Sequence, residues 1–431
     1  MTEPTAGPDA GAQFRALDVL IALGRPATPV AEPSPPSPEA PRAGATDRER
    51  SANSRPRAVD LRSRLGTAIR TWRSRRVSAP SKIYVVIPAH DESGTITQTL
   101  ASLRKQTLLP HHVIVACDNC TDDTEQKAAG EGAQTFRTYR NADKKAGALN
   151  QALSGLLPAL NAEDLVLAMD ADSQLNNRWL EEAERMLRRD PSIGAVCGVF
   201  VGEPGHGLAA DLQRNEYVRY ARAVFRRRQA PVLSGTGTLF RTSALREVAR
   251  ERGRLLPGIR GEYYNSQTVT EDNEITLALK TLGHCCLPGP GCVTTTEVMP
   301  TFRDLYRQRM RWQTGALSDL RRYGLTRVTF MYWVRQAALY AGFSASLICW
   351  AIMSWAMTAH LHINVGWTFA ILGINLVERL WTVRKVGLKG TVLSALVLPE
   401  FVYDVFRMIV FFRALVAELR QRQIAWNHLQ R

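Results

Sequence analysis

Residues 82–90 read KIYVVIPAH and residues 165–172 read LVLAMDAD. Both are short, β-branched apolar runs that stop on polar or acidic residues, as strands buried inside a sheet do. Between them, HVIVACD (112–118) reads as a second strand and QTFRTY (134–139) as a weak third. GTITQTLASLRKQ (94–106), TDDTEQKAAGEGA (121–133) and KAGALNQALSGLL (145–157) have helical spacing, and NRWLEEAERMLRR (177–189) is a strongly amphipathic helix. Strands alternating with helices of this length predict an α/β fold, with a mainly parallel sheet covered on both faces. In such sheets ligands bind outside the carboxyl ends of the strands. Asp118, Asp170 and Asp172 all fall at those ends. The first turn, PAHDESGT, has no G-x-G-x-x-G, which removes a nucleotide-dependent dehydrogenase from consideration.

Composition narrows the partners. Lys and Arg number 55 against 40 Asp and Glu, a formal net charge of +15. Such an excess suits nucleic acid, an anionic membrane surface or anionic small substrates. No zinc-finger or RNP-type sequence is present and the basic residues are spread along the chain, so no nucleic-acid partner is expected. The 7 cysteines are odd in number and irregular in spacing, which suits reduced thiols. Cys117 and Cys120 form a lone C-x-x-C, read as two small residues at a strand end, since no second zinc pair accompanies them.

Outward from the alternating region the texture changes twice. Residues 1–78 are rich in Pro, Ala, Ser and Arg and are expected to be a disordered tail, with one short helical island at residues 14–23. Residues 79–299 are the expected catalytic domain and 300–334 amphipathic interfacial helices. Residues 335–431 form an apolar region that associates with a membrane or mediates homo-oligomerisation. In TFRDLYRQRMRWQTGALSDLRRYG (301–324), Phe302, Leu305, Met310, Trp312, Leu317 and Leu320 lie among many arginines, as in an interfacial helix. Ala337 to Val377 contains no Asp, Glu, Lys or Arg, enough for two membrane-length segments joined at HLHIN, the second short for a full span. Basic residues flank the pair on both sides: Arg321, Arg322, Arg327 and Arg335 before it, and Arg379, Arg384, Lys385 and Lys389 after. This predicts a hairpin with the catalytic domain cytoplasmic. Residues 391–419 are apolar but carry Asp404, Arg407 and Arg413, so they are expected to lie in the interface or pack on other helices.

Three constellations carry chemistry. Asp170 and Asp172 at a strand end can reach one hydrated Mg²⁺ or Mn²⁺, an ion that would neutralise a diphosphate leaving group. In VTEDNE (269–274), Asp272 is the candidate base for an acceptor hydroxyl. It also precedes NEITLALKTLG, so a helix-capping role for Asp272, or for Thr270 or Glu271 beside it, stands next to catalysis. In QRMRW (308–312), Arg311 suits a diphosphate and Trp312 a sugar ring, against the plainer reading of a basic helix with a buried tryptophan.

Taken in order, IPAHDE, DNCTDDT, KAGALN, DAD, SGTGTLFR, TED and QRMRW resemble the processive family-2 glycosyltransferases with a GT-A fold, such as cellulose, hyaluronan, chitin and poly-N-acetylglucosamine synthases. The resemblance runs from about Ile83 to Gly324. It implies a Rossmann-like mixed sheet flanked by helices, and a metal-dependent, inverting transfer from a nucleotide sugar, UDP-linked by preference, to a glycan or other hydroxyl. By resemblance Pro88, Ala89, Glu92, Asp118 and Lys145 contact the nucleotide side, together with Asp170, Gln308 and Arg311. Asp172 is the direct metal ligand and Asp272 the base. Gly235, Thr236, Gly237 and Thr238 line the acceptor side, with Glu271 and Trp312. One departure stands out: the acidic pair usual at the second strand is Asp118-Asn119 here. Large synthases of this type place membrane helices ahead of the catalytic domain, and residues 1–78 hold none, so an export channel within one chain is not expected.

Two other readings remain at this point. Transfer to a lipid phosphate needs less base catalysis, but QRMRW speaks for a sugar acceptor. A non-catalytic nucleotide-sugar-binding scaffold predicts loss of Asp118, Asp172 or Asp272, and all three are present.

Overall fold

A parallel sheet core forms where the β-branched runs were read. In the computed structural model, which describes residues 81–204, 207–359, 365–384 and 387–420, β1 (Ile83–Ala89) is buried at all 7 positions. It pairs in parallel with β2 (His112–Cys117) on one side and β4 (Leu165–Ala168) on the other. A strand covered on both faces cannot alternate polar and apolar residues, which is why IYVVIPA is continuous. β3 (Gln134–Arg137) extends the parallel run beyond β2. The residues expected to form the tail, its helical island and the HLHIN joint lie outside the described residues.

The sheet is mixed rather than mainly parallel. Its order is β3-β2-β1-β4-β7-β6-β8-β5. β7 (Thr238–Arg241) runs antiparallel to both β4 and β6 (Ile193–Gly202). β8 (Cys285–Thr296) is parallel to β6, and β5 (Gln174–Leu175) antiparallel to β8. The reversal at β7 has a consequence for the site: residues 234–237 precede that strand, so they arrive at the sheet edge where β1, β2 and β4 end. Chain order 1-2-3 on one side of β1 and 4 on the other makes the β1/β4 boundary a switch point, where a crevice opens.

Helices cover this sheet: α1 (Ile96–Arg104), α2 (Thr124–Gly130), α3 (Lys144–Leu156), α4 (Trp179–Arg189), α5 (Leu208–Arg227), α6 (Thr242–Glu251) and α7 (Glu271–Thr281). The main core joins Val85, Ile87, Val115, Leu167, Leu180 and Leu239 around the fully buried Trp179. Then come α8 (Phe302–Tyr323), α9 (Phe330–Thr358), α10 (Val365–Val383), α11 (Leu388–Ala395) and α12 (Val397–Leu419). Thr301 caps α8 by accepting from the Asp304 amide at 3.2 Å, while its hydroxyl donates to Asp304 Oδ2 at 2.5 Å.

Among the described residues one helix, Phe330–Ala356, is long and apolar enough to cross a membrane. Leu347, Ile348, Ile352 and Trp355 on α9 and Phe401, Val402 and Ile409 on α12 are exposed apolar residues. The charges in α12 pack on other helices: Glu400 accepts from both Arg219 nitrogens at 2.8 and 2.7 Å, and Arg379 donates to Asp404 at 2.5 Å.

One buried ion pair ties α8 to the sheet domain. Arg252 and Glu274, both with 0% side-chain exposure, form a bidentate pair at 2.6 and 2.7 Å, and Tyr323 at the end of α8 donates to Glu274 at 2.6 Å. Breaking such a pair strands a buried charge. Glu274→Ala should therefore lower unfolding free energy by about 3–5 kcal/mol, measured by denaturant titration; a loss under about 1 kcal/mol would mean that the pair is solvated.

Candidate active site

At the carboxyl ends of β1, β2 and β4 lies a cavity of about 330 Å³. Its lining includes Pro88, Ala89, Glu92, Asp118, Lys145, Asp170, Asp172, Gly235, Thr236, Glu271, Asp272, Arg311 and Trp312. Residues separated by more than two hundred positions thus meet in one place, although no single motif required it. Three expected residues lie elsewhere. Gly237 packs inward, where a Cβ would meet Leu175 at 3.2 Å and Trp179 at 3.4 Å. Thr238 is buried beneath the cavity and donates to the Ser234 carbonyl at 2.8 Å. Gln308 accepts from Arg309 Nη1 at 2.8 Å and is absent from the lining.

The β1 and β2 loops are latched to each other. Asp91, at φ 53°, accepts from the Thr121 and Asp122 amides at 2.6 and 3.2 Å, and Asp122 in return accepts from the Ser93 amide at 3.0 Å. Behind this latch, Asp118 Oδ1 accepts from Thr138 Oγ1 at 2.7 Å, Asn141 Nδ2 at 2.8 Å and Asn119 Nδ2 at 3.1 Å. The departure from an acidic pair therefore has a use: a second carboxylate would repel Asp118, whereas the Asn119 amide braces it. Gly147 lets Asn141 reach in, because a Cβ there would stand 1.9 Å from Asn141 Oδ1. Asn119 and Asn141 line the cavity, as does His90, whose Nδ1 lies 2.6 Å from the Asp118 carbonyl oxygen.

The D-x-D turn is held through its backbone. Met169 N–H donates to Val86 at 3.2 Å, Asp170 N–H to Gly235 at 3.1 Å, and Thr99 Oγ1 to the Ala171 carbonyl at 2.7 Å. The side chains then have different tasks. Lys145 Nζ lies 2.5 Å from Asp170 Oδ1 and 2.5 Å from Glu271 Oε1. A Cβ on Gly235 would come within 2.9 Å of that same ammonium, so a side chain at this position would displace Lys145 from its present contact. Asp172, in contrast, forms no ion pair among the described residues; Ser173 Oγ donates to its Oδ1 at 3.1 Å. Burial, then the nearby Asp170, Glu92 and Glu297, raises its carboxyl to about 7. Such an excess of hard anionic oxygen fits a divalent cation of the Mg²⁺ or Mn²⁺ kind.

The first turn of α7 supplies the rest. Thr270 occupies the N-cap position, yet no side chain caps the helix. Its hydroxyl instead donates to Asp319 Oδ2 on α8 at 3.0 Å, as does Asn273 Nδ2 at 2.8 Å, while Thr268 donates to Oδ1 at 2.8 Å. Asp272 therefore sits inside the helix, not at its cap, and among the described residues its carboxylate accepts from the adjacent Asn273 amide alone, at 2.8 Å. Burial first, and Glu271 second, raises its carboxyl to about 6, against the pull of Lys145. Glu271 moves the other way: burial opposes ionisation, but Lys145 outweighs it and holds the carboxyl below its usual value.

Trp312 is 36% exposed at the cavity, so the sequence's alternative of a buried tryptophan does not hold. The buried side of α8 is Leu305, Arg309, Gln313, Leu317 and Leu320. Arg309 was missed in the sequence, although its place four residues after Leu305 puts it in line with the apolar stripe. An arginine there signals a buried anion.

An open mixed sheet flanked by helices, with this acidic cavity at its strand ends, is the GT-A type of α/β architecture. The family described as glycosyltransferase like family 2 matches residues 80–315, more than half of the chain, and the chain belongs to that family. It is 24% identical over 240 residues to the poly-beta-1,6-N-acetyl-D-glucosamine synthase of Staphylococcus aureus, and the match covers 54% of each chain. The chain thus spans about half the length of the curated relatives it matches. Among solved structures it is similar to the mannosyltransferase PcManGT from Pyrobaculum calidifontis in complex with GDP-Man and Mn²⁺, at 18% identity and a TM-score of 0.49, covering 84% of this chain and 95% of that one. It is also similar to glucosyl-3-phosphoglycerate synthase from Mycobacterium tuberculosis with Mn²⁺, UDP and glucosyl-3-phosphoglycerate, at 20% identity and a TM-score of 0.37, covering 57% and 81%.

Lys145 provides a test of the site's charge balance. Burial disfavours its ammonium, but Asp170, Glu271 and Asp272 outweigh this and raise its pKa well above the ordinary value. That stability is fully present below the unfolded lysine value, so it covers the neutral range. Lys145→Met strips the carboxylates of their counter-charge and raises their folded pKa values. The folded mutant then binds more protons than the unfolded chain, and its stability falls as pH rises. The stability gap between wild type and mutant should be wider at pH 8 than at pH 5 by thermal or urea unfolding. A gap independent of pH would remove Lys145 as the balancing charge.

Proposed function

We propose that the protein is an inverting, metal-dependent glycosyltransferase that moves a sugar from a UDP-sugar to a hydroxyl of a growing glycan at a membrane surface. The observation that carries this reading is Asp272: a carboxylate raised to about 6, in one cavity with Asp172, Arg311 and Trp312. A base with a value near the working pH accepts a proton most effectively. A retaining route through a covalent intermediate would use a carboxylate nucleophile, and Glu271 is committed to Lys145 at 2.5 Å.

In this reading the acceptor hydroxyl loses its proton to Asp272 as its oxygen attacks the anomeric carbon from the face opposite the diphosphate. The bond between that carbon and the diphosphate oxygen breaks, and the nucleotide leaves with the electron pair. Asp118, held by its three donors, suits the base edge, and the Pro88–Glu92 turn covers the nucleotide. Mg²⁺ or Mn²⁺ on Asp172, with Asp170 beside it, would supply counter-charge for the leaving diphosphate. Arg311, whose charge also acts on Glu271, supplies a further cation to that side. The lining glycine and threonine, Gly235 and Thr236, leave space on the acceptor side, where Trp312 offers a flat apolar face.

The outer parts of the chain fit the same scheme. Residues 79–299 serve as the catalytic domain and 300–334 as the interfacial segment. Residues 335–431 hold the protein to the membrane from its cytoplasmic side, an attachment that the exposed apolar face of α9 supports. The name of the Staphylococcus aureus relative makes UDP-N-acetylglucosamine the first donor to test.

Asp272→Asn should keep nucleotide binding and lower transfer about 10²–10⁴-fold, the usual contribution of a positioned base. Release of UDP by full-length protein in mild detergent, beside calorimetric binding of UDP, measures both; normal turnover would remove the base assignment. The wild-type rate should drop about tenfold per pH unit below about 6, because Asp272 must be ionised to accept a proton. The affinity for Mn²⁺ should rise with pH up to about 7, where Asp172 loses its proton, and Asp172→Ala should abolish that dependence. A flat titration of Mn²⁺ binding between pH 5.5 and 8 would count against Asp172 as ligand.

A further inference from the structure

Arg309 takes no part in the scheme above, yet it is only 3% exposed. Its guanidinium lies 4.3 Å from the Trp312 ring centroid and 5.6 Å from that of Tyr217. Nη2 donates to Glu216 Oε2 at 2.8 Å. The same Glu216 oxygen accepts the Tyr403 hydroxyl at 2.6 Å, and Arg407 Nε stands 3.6 Å from Oε1. Glu216 belongs to α5 in the sheet domain. Tyr403 and Arg407 belong to α12, far beyond residue 315 where the family match ends.

The order of dependence follows from electrostatics. A guanidinium stays buried only with a counter-charge. Glu216 supplies it, and burial of Glu216 is outweighed in turn by Arg309 and Arg407, which hold its carboxyl down at about 2. Arg309, once fixed, stacks on Trp312 and restricts the ring through a planar contact that a lysine could not reproduce. The tryptophan then meets a ligand without first losing rotational freedom.

We propose that Glu216 and Arg309 are positioning residues for Trp312, and that the Tyr403 hydroxyl makes this arrangement conditional on helix α12 being docked. The apolar C-terminal helices would thereby govern how well the enzyme uses its acceptor, separately from how well it binds its donor. The inference rests on the reading of Trp312 as the acceptor platform.

Full-length protein in mild detergent, labelled with 5-fluorotryptophan, tests it by fluorine NMR, with the Trp312 line assigned by its loss in Trp312→Phe. In Glu216→Gln, Arg309→Lys and Tyr403→Phe the Trp312 line should move or broaden while the other tryptophan lines stay in place. With UDP-N-acetylglucosamine and a β-1,6-linked N-acetylglucosamine tetramer as probes, the ratio of acceptor-dependent UDP release to acceptor-free hydrolysis should fall about tenfold or more in Glu216→Gln, towards the roughly 10²-fold cost of misplacing a group by about an ångström. Tyr403→Phe, which removes one oxygen, keeps the test available if Glu216→Gln fails to fold. An unmoved Trp312 line in Tyr403→Phe and Arg309→Lys would overturn the proposal. So would equal loss of transfer and hydrolysis. If the Trp312 line moves as expected while wild-type protein turns over no donor, the positioning stands and the transferase reading is what fails.

Discussion

A single buried ammonium decides the form of this site. Asp170, Glu271 and Asp272 act on Lys145, and the first two touch it at 2.5 Å. Carboxylates brought together in a low-dielectric cleft repel one another, and without compensation they would take up protons or separate. One lysine cannot compensate all of them. It satisfies Asp170 and Glu271 and leaves Asp172 and Asp272 with raised pKa values of about 7 and about 6. The two under-compensated carboxyls are the two assigned to metal and base. Burial raises both of these carboxyls, and the one ammonium that could offset it is held by Asp170 and Glu271.

That arrangement requires α7 to start at a defined place, and the usual device for starting a helix is missing. Instead of capping, Thr270 and Asn273 donate to Asp319 on α8, whose own carboxyl is raised to about 7 by burial. A few residues further on, the Arg252–Glu274 pair takes the Tyr323 hydroxyl from the same helix. The helix that carries Arg311 and Trp312 is thus bonded to the helix that carries Asp272 at two points. Asp272 and Trp312, the base and acceptor platform of the proposed scheme, are thereby held on two helices bonded to each other. A displacement of α8 would disturb the Asp272 turn before it disturbed the sheet.

Much of this was legible in the sequence, for reasons that differ by region. Continuous apolar runs such as IYVVIPA and LVLA mark strands buried on both faces, and the acids behind them mark the crevice. The reversed strand β7 was not legible, because TLFR has four residues and no periodic signal of direction. The cavity residues were found through ordered motifs, and the structure brings most of them together. Gly237, Thr238 and Gln308 were carried over with the SGTGTLFR and QRMRW motifs by resemblance, but Gly237 packs on Leu175 and Trp179 and Thr238 is buried on the Ser234 carbonyl. Asn119, Asn141 and Glu216 escaped because they act through hydrogen bonds and ion pairs to residues 1, 23 and 93 positions away. Arg309 carried a readable signal, a charge in line with an apolar stripe, that was obscured by the many surface arginines around it.

In the proposed scheme the donor and acceptor halves of the cavity are built in different ways, and this bears on how such a site can change. The donor half is held within the sheet domain: the Asp91 and Asp122 carboxylates accept amides across the β1 and β2 loops, and backbone bonds hold the D-x-D turn. Substitution of Asp91 or Asp122 would open that latch, whereas the Met169 and Asp170 amide bonds depend on no side chain. The acceptor half is assembled by side chains from α5, α7, α8 and α12, several of them charged and buried. Each such contact depends on a specific partner, since loss of one member strands the other in a dry environment. On the proposed coupling, changes in the C-terminal helices reach Trp312 through Tyr403 and Glu216, whereas the donors to Asp118 are Thr138, Asn141 and Asn119 of the sheet domain. If the two halves have the proposed roles, a fold organised this way can alter what receives the sugar while keeping the nucleotide that brings it.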